Sequence, residues 1–217
     1  EGTFDGIIPH LDHLRDLGVT HVELMPVADF EGARGWGYDG VDLFAPRHVY
    51  GGPEGLKRLV NACHGKGLGV LIDAVYNHVG PSGNYLPRFG PYFTSDYETP
   101  WGPAVNFDGP SSDEVRRFVL DNATMWLRDY HADGLRLDDI DAIHDRSATH
   151  IVEDIAVTAQ RLSKSLGRRL VVIAECFRNN PRVVASRDRG GFGVDAQWSD
   201  DFHHALHTLL TGETYAY

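Results

Sequence analysis

Three carboxylates in this chain each close a short apolar run: Asp73 after Gly69-Val70-Leu71-Ile72, Asp138 after Gly134-Leu135-Arg136-Leu137, and Glu175 after Leu170 to Ala174. Two carboxyls can divide the cleavage of a glycosidic bond, one as nucleophile and one as general acid, when their surroundings separate their pKa values. Glu175 follows five apolar residues, so partial burial would raise its pKa, as a proton donor requires. Arg136 lies two residues before Asp138, and in a strand both side chains leave the same face. There the guanidinium would hold Asp138 ionised and oriented. The same residues also suit a plainer arrangement, a structural Arg–Asp ion pair beside a strand-end Glu with no chemical duty.

Other reactive residue types carry less. His203 and His207 are four apart on an expected helix, a spacing that suits zinc, but no third ligand or His-Glu-x-x-His pattern accompanies them, so no metal is expected. Asp200 and Asp201 read as partners of that helix start. Cys63 and Cys176 stand in unrelated contexts and imply neither a disulfide framework nor a cysteine zinc site.

These groups need elements to position them. Apolar residues at helical spacing run from Phe4 to Gly18, and Thr20 to Met25 reads as a strand. A Gly-rich loop through Gly35 to Gly40 precedes a helix from Pro53 to His64 and a strand from Gly69 to Asp73. The segment 76–110 has no periodicity and is rich in Tyr, Phe, Trp, Pro and Gly; its aromatics argue against disorder and for either a self-packed loop or a sugar-stacking wall. Ser111 and Glu114 form a capping-box pattern before the next helix. Strands follow at 134–138, 170–175 and, more weakly, 193–198, with helices near 151–166 and 201–210.

This alternation of strands and helices, with apolar strands, predicts a parallel α/β sheet. Open doubly wound sheets and (β/α)8 barrels both fit, but no Gly-rich phosphate loop follows a strand, and polar residues gather at the strands' C-terminal ends, where barrels keep their chemistry. Five strand signals fall short of the eight of a closed barrel. The expected fold is therefore an incomplete TIM (β/α)8 barrel, one partial catalytic domain over 1–217 with a long aromatic loop at about 76–110. Lys plus Arg number 20 against 31 Asp plus Glu, a formal charge of −11, which argues against a phosphate-binding surface and gives the expectation of no nucleic-acid partner. No apolar run approaches a membrane span and no signal-peptide pattern opens the chain, giving the expectation of a cytoplasmic protein without a membrane partner.

Three segments carry a family resemblance. Asp73-Ala74-Val75-Tyr76-Asn77-His78, Gly134-Leu135-Arg136-Leu137-Asp138 and Ile173-Ala174-Glu175 resemble, in order and spacing, the first three motif regions of glycoside hydrolase family 13, the α-amylase superfamily. The chain would then cover about strands 2 to 6 of that family's barrel. Within the superfamily, Trp36-Gly37-Tyr38-Asp39-Gly40-Val41, the segment from Gly83 to Phe93, and Gln197 to His204 are similar to the malto-oligosyltrehalose trehalohydrolases. That likeness implies hydrolysis of the α-1,4 bond next to a terminal trehalose, with an oligosaccharide (malto-oligosyltrehalose or α-glucan) as substrate and no cofactor. A glycogen branching enzyme, transferring the glycosyl unit to a glucan hydroxyl, and a saccharide-binding barrel without turnover are the alternatives.

By the same resemblance Asp138 would be the nucleophile, Glu175 the general acid/base and Arg136 the residue that orients the nucleophile. Asp73 and His78 would line the sugar subsite at the cleavage point, and Tyr38 would be the aromatic platform beneath it. Asn77 matches a calcium position of many amylases, but no acidic loop supplies the remaining oxygens. Asp139 and Asp141 depart from the pattern, where a small residue and a His are expected, and Cys176 stands where Ser is usual. The family's fourth motif, an Asn-His-Asp, does not follow Glu175. The segment alone is therefore expected not to turn over substrate.

Overall fold

The computed structural model describes residues 2–215. The chain opens with α1 (Phe4–Ile7) and α2 (Leu11–Asp16). A single helix was the expectation from Phe4 to Gly18, but Pro9 cannot continue the hydrogen-bond ladder, and a 3-10 turn at Ile8–His10 divides it. β1 (His21–Leu24) leads to a small antiparallel pair, β2 (Ala28–Asp29) and β3 (Asp42–Pro46), followed by α3 (Gly52–Gly65) and β4 (Gly69–Ala74). The aromatic segment contains a hairpin, β5 (Phe93–Thr99) with β6 (Gly102–Val105).

α4 (Ser112–Thr124) follows the hairpin and ends in a π-helical turn at Met125–Asp129. Its expected capping box does not form: Ser111 takes a left-handed φ of 61° and its hydroxyl caps no backbone N–H. β7 (Gly134–Leu137), α5 (Ile151–Leu166), β8 (Val171–Cys176), β9 (Ala196–Ser199) and α6 (Asp200–Thr211) complete the order.

The five strands β1, β4, β7, β8 and β9 pair in that order, all parallel. With helices on the outer side this is part of a (β/α)8 barrel, an arc with β1 and β9 at its edges. Alternation along each strand separates two faces. Val70, Ile72, Ala74, Leu135, Leu137, Val172 and Ala174 point outward into one core with Leu56, Leu59 and Val60 of α3, Val115 and Val119 of α4, and Ile151, Val152 and Ile155 of α5. Each large side chain so buried contributes roughly 1.5–3 kcal/mol.

The inner face carries Leu71, Asp73, Arg136, Ile173 and Glu175. Apolar strands predicted burial on both faces; in β8 the inward Val171, Ile173 and Glu175 are only partly buried, because the arc does not close over them. Gly134 starts β7 because nothing larger fits: a Cβ there would lie 2.4 Å from the Val171 carbonyl oxygen.

Candidate active site

Parallel register brings the strand ends together. Asp73 pairs across from Arg136, and Leu137 from Ala174, so Asp138 and Glu175, one residue further on, reach the same rim. Arg136 is buried among them. Its Nη1 lies 2.7 Å from Asp73 Oδ1 and 2.7 Å from Asp138 Oδ1, and its Nη2 lies 2.8 Å from Glu175 Oε2. One guanidinium therefore spans three carboxylates, and the carboxyls of Asp138 and Glu175 stand within its reach of each other. Burial works against the charge on Arg136, but the acids around it outweigh burial and raise its pKa.

The other oxygens of these acids are held separately. Asp138 Oδ2 accepts from Asn77 Nδ2 at 3.0 Å, and the same amide donates to the Asp138 carbonyl at 2.9 Å. Asp73 Oδ2 accepts from the Tyr38 hydroxyl at 2.7 Å. Glu175 Oε2 also accepts from the Asp139 backbone N–H at 2.9 Å. Burial raises the Asp73 carboxyl to about 6 against the pull of Arg136 and Tyr38. Burial also raises Glu175, opposed by the Asp139 N–H and Arg136. Glu175 is thus pushed toward its protonated form, as a proton donor requires, while a guanidinium and an amide fix the position of Asp138 beside it.

His78 faces the same cleft. Its Nδ1 meets Asn77 Oδ1, its Nε2 sits 2.9 Å from the Tyr38 carbonyl oxygen, and its ring stacks on Trp101 with centroids 4.5 Å apart and planes 13° from parallel. Burial lowers its pKa and favours the neutral ring. A cavity of about 480 Å³ opens over Tyr38, His78, Arg136, Asp138 and Glu175, walled by Trp36, Trp101 and Phe177. Flat aromatic walls around carboxylates suit a sugar, whose ring offers an apolar face and polar edges.

All six residues singled out from the sequence thus meet in one place. Asn77 holds Asp138 directly and belongs with them; its position between Asp73 and His78 was the available signal. Its amide oxygen is turned to His78. The aromatic segment divides its duties: Tyr92 packs edge-on against Phe118, whereas Trp101 walls the cavity. Asp141, which departs from the family pattern, accepts from the backbone N–H of Phe177 at 3.0 Å and pairs with Arg178. At the start of α6, Asp200, His203 and His204 bring ligand atoms within 4.8 Å of one another, a different trio from the His203–His207 spacing.

Comparison with known proteins bears on this site. Residues 1–98 match the family description "Alpha amylase, catalytic domain". The malto-oligosyltrehalose trehalohydrolase of Mycobacterium tuberculosis is 55% identical over 216 residues, covering 100% of this chain and 37% of that protein. The chain belongs to the α-amylase superfamily. A second trehalohydrolase, from Saccharolobus solfataricus, is 52% identical over 217 residues, with 100% of this chain and 38% of that one matched. The 1,4-alpha-glucan branching enzyme of Pseudoalteromonas atlantica is more distant, 33% identical over 97% of this chain and 32% of its own. A solved structure from Salmonella typhimurium superposes with a TM-score of 0.87 at 44% identity over 99% of this chain and 36% of that one. The chain thus spans between 32% and 38% of the length of these relatives.

Proposed function

We propose that the parent protein is a malto-oligosyltrehalose trehalohydrolase, and that this segment supplies its nucleophile and its general acid. The observation that carries the reading is the grip of Arg136 on Asp73, Asp138 and Glu175 in a chain more than half identical, end to end, to trehalohydrolases. Asp138 attacks the anomeric carbon of the glucose preceding trehalose, held on line by Arg136 and Asn77. Glu175 gives its proton to the glycosidic oxygen as the C–O bond breaks, and trehalose leaves. Glu175, now ionised, takes a proton from water, whose oxygen attacks the anomeric carbon and releases Asp138. Tyr38, His78 and Asp73 hold the sugar undergoing cleavage, with the Tyr38 ring beneath it and Asp73 within reach of its hydroxyls.

The complete parent protein is the form to assay, since an open arc lacks the strands that would fix the far side of the cleft. Incubated with malto-oligosyltrehalose it should release free trehalose and a shorter maltodextrin. Glu175→Gln should lower kcat roughly 10²–10⁴-fold while calorimetric binding of the substrate persists, because a proton donor is lost and not a platform. New α-1,6 branches without trehalose would replace this reading with a transferase, and undiminished turnover in the Gln variant would remove Glu175 from its role.

A further inference from the structure

Glu23 of β1 has no duty in the mechanism above, yet it is aimed at the centre of the site. Register sets it opposite Leu71 of β4, and Leu71 opposite Gly134 of β7, so Glu23 stands on the inner face one row below Asp73 and Arg136. Its Oε2 is shielded from solvent and meets no hydrogen-bond donor, and Arg136 Nε is shielded and meets no acceptor. Among the described residues only one other side-chain atom, Arg47 Nε, shares that condition. An orphaned acceptor and an orphaned donor in one region of an otherwise satisfied core are complementary, since each costs free energy unpaired.

We propose that Glu23 is a positioning residue of the candidate site, its carboxyl engaging Arg136 from the row below so that the guanidinium is shared between two tiers of acids. The proposal rests on the functional reading above for its effect on turnover, though not for its effect on stability. The reason for such a residue lies in the geometry of Arg136. A guanidinium 2.8 Å from Glu175 stabilises that acid's ionised form, which opposes proton donation. A further negative charge on the arginine's underside offsets that pull and helps Glu175 keep its proton.

The charged groups that face Glu23 are Asp73 from β4, Arg136 from β7 and Glu175 from β8. Burial raises the Glu23 carboxyl to about 7, with Asp73 adding to the rise, Arg136 opposing it and Glu175 adding again. Glu23 therefore gains its charge well above the ordinary carboxylate range.

Two measurements on the complete parent protein test this. The first is the pH profile of kcat/KM for trehalose release. Glu23→Gln should move the alkaline limb to lower pH by roughly half a unit, about a threefold loss of rate on that limb, with KM changed less than about twofold. Glu23→Asp should restore part of the wild-type limb. The second is the thermal midpoint as a function of pH. A carboxyl whose folded pKa is raised leaves the folded state holding more protons than the unfolded one between about 4.5 and about 7, so it lowers stability as pH climbs through that window. The gap in midpoint between Glu23→Gln and wild type should widen in favour of Gln over that range and then level off. An unshifted limb in an active Gln variant, or midpoint curves that stay parallel, would overturn the proposal. Wild-type protein that releases no trehalose would refute only the functional reading, and the midpoint curves would still decide Glu23.

Discussion

Arg116 draws Asp145 and Asp154 to 2.6 Å each, while Arg136 draws Asp73, Asp138 and Glu175 to 2.7–2.8 Å. Both arginines are largely withdrawn from solvent, and both join segments far apart in sequence. Asp145 in the first cluster and Asp73 in the second nonetheless respond in opposite directions. Asp145 is pushed up by burial, but hydrogen bonds from Ser147 and Arg116 outweigh that and its pKa falls below the ordinary carboxylate value. Asp73 is pushed up by burial to about 6, and Arg136 and Tyr38 do not reverse it.

The difference lies in the number of donors. Asp145 accepts from the backbone N–H groups of Ser147 at 2.8 Å and Ile151 at 2.6 Å as well as from Arg116. Arg116 in turn donates to the Phe107 and Thr149 carbonyls. That network is saturated, and it ties the hairpin's exit and the β7–α5 connection to α4. Around Arg136 the donors are shared out thinly, one Nη1 serving two acids and its Nε serving none. A saturated cluster is a staple; an undersupplied one facing a cavity has protonation states left to use.

Breaking each arginine separates the two roles most sharply. In the complete parent protein Arg136→Met should cost on the order of 10³-fold in kcat, as expected when a group fixing a nucleophile is lost. Arg116→Met should instead cost on the order of 3 kcal/mol of stability, by leaving two carboxylates with fewer donors, and change kcat of the folded protein less than about threefold. Denaturant midpoints read beside kcat decide it; an Arg116 variant of normal stability and lost turnover would erase the distinction.

A smaller effect sharpens the same contrast through pH. Asp145, with its folded pKa lowered, contributes stability that is present above its unfolded value of about 3.9 and is lost as pH falls through the folded value. Asp145→Asn should therefore destabilise most at neutral pH, the gap closing in acid. Asp73, raised to about 6, favours the folded state below its unfolded value and loses that advantage as pH rises through about 6. The midpoint of Asp73→Asn relative to wild type should consequently improve between about pH 4 and pH 6. Thermal melts across that range are the check, and slopes of the same sign for both variants would show that donor number does not govern them.

The smallest effect concerns two stacked pairs on the hairpin. Trp101 stacks on His78 inside the cleft, and Tyr97 stacks on His144 with centroids 4.8 Å apart outside it. Trp101→Ala should raise KM roughly fivefold, about 1 kcal/mol, whereas Tyr97→Ala should leave KM near the wild-type value. Equal effects on KM from both would mean that the sugar path does not follow the Trp101 wall.

Much of this was legible from residue order. The apolar runs that end in Asp73, Asp138 and Glu175, and the offset of two between Arg136 and Asp138, are local patterns, and strands formed where they were expected. The start of α4 was misread, because the Ser111 hydroxyl caps the helix only if its backbone enters in an extended conformation, and the preceding turn forces a left-handed one. The hairpin in the aromatic segment was missed because it alternates poorly and rests on pairing across a turn.

Helices α5 and α6 show where local pattern stops. Both are amphipathic, but α5 buries Ile151, Val152, Ile155, Ala156 and Ala159, while no residue of α6 is buried and Leu209 remains 83% exposed. The sequence by itself determined the order of the five parallel strands, the type of residue at each strand end and the family to which they point, because periodicity and motif spacing are properties of neighbours along the chain. Only the tertiary structure decided that one guanidinium holds three acids, that Asp73 rises where Asp145 falls, that Trp101 and not Tyr97 walls the cleft, and that Glu23 stands on the inner face one row below Arg136. Each of those depends on burial and on donors brought from distant segments, Asp73 and Arg136 being 63 residues apart, and such distances close only when the sheet forms.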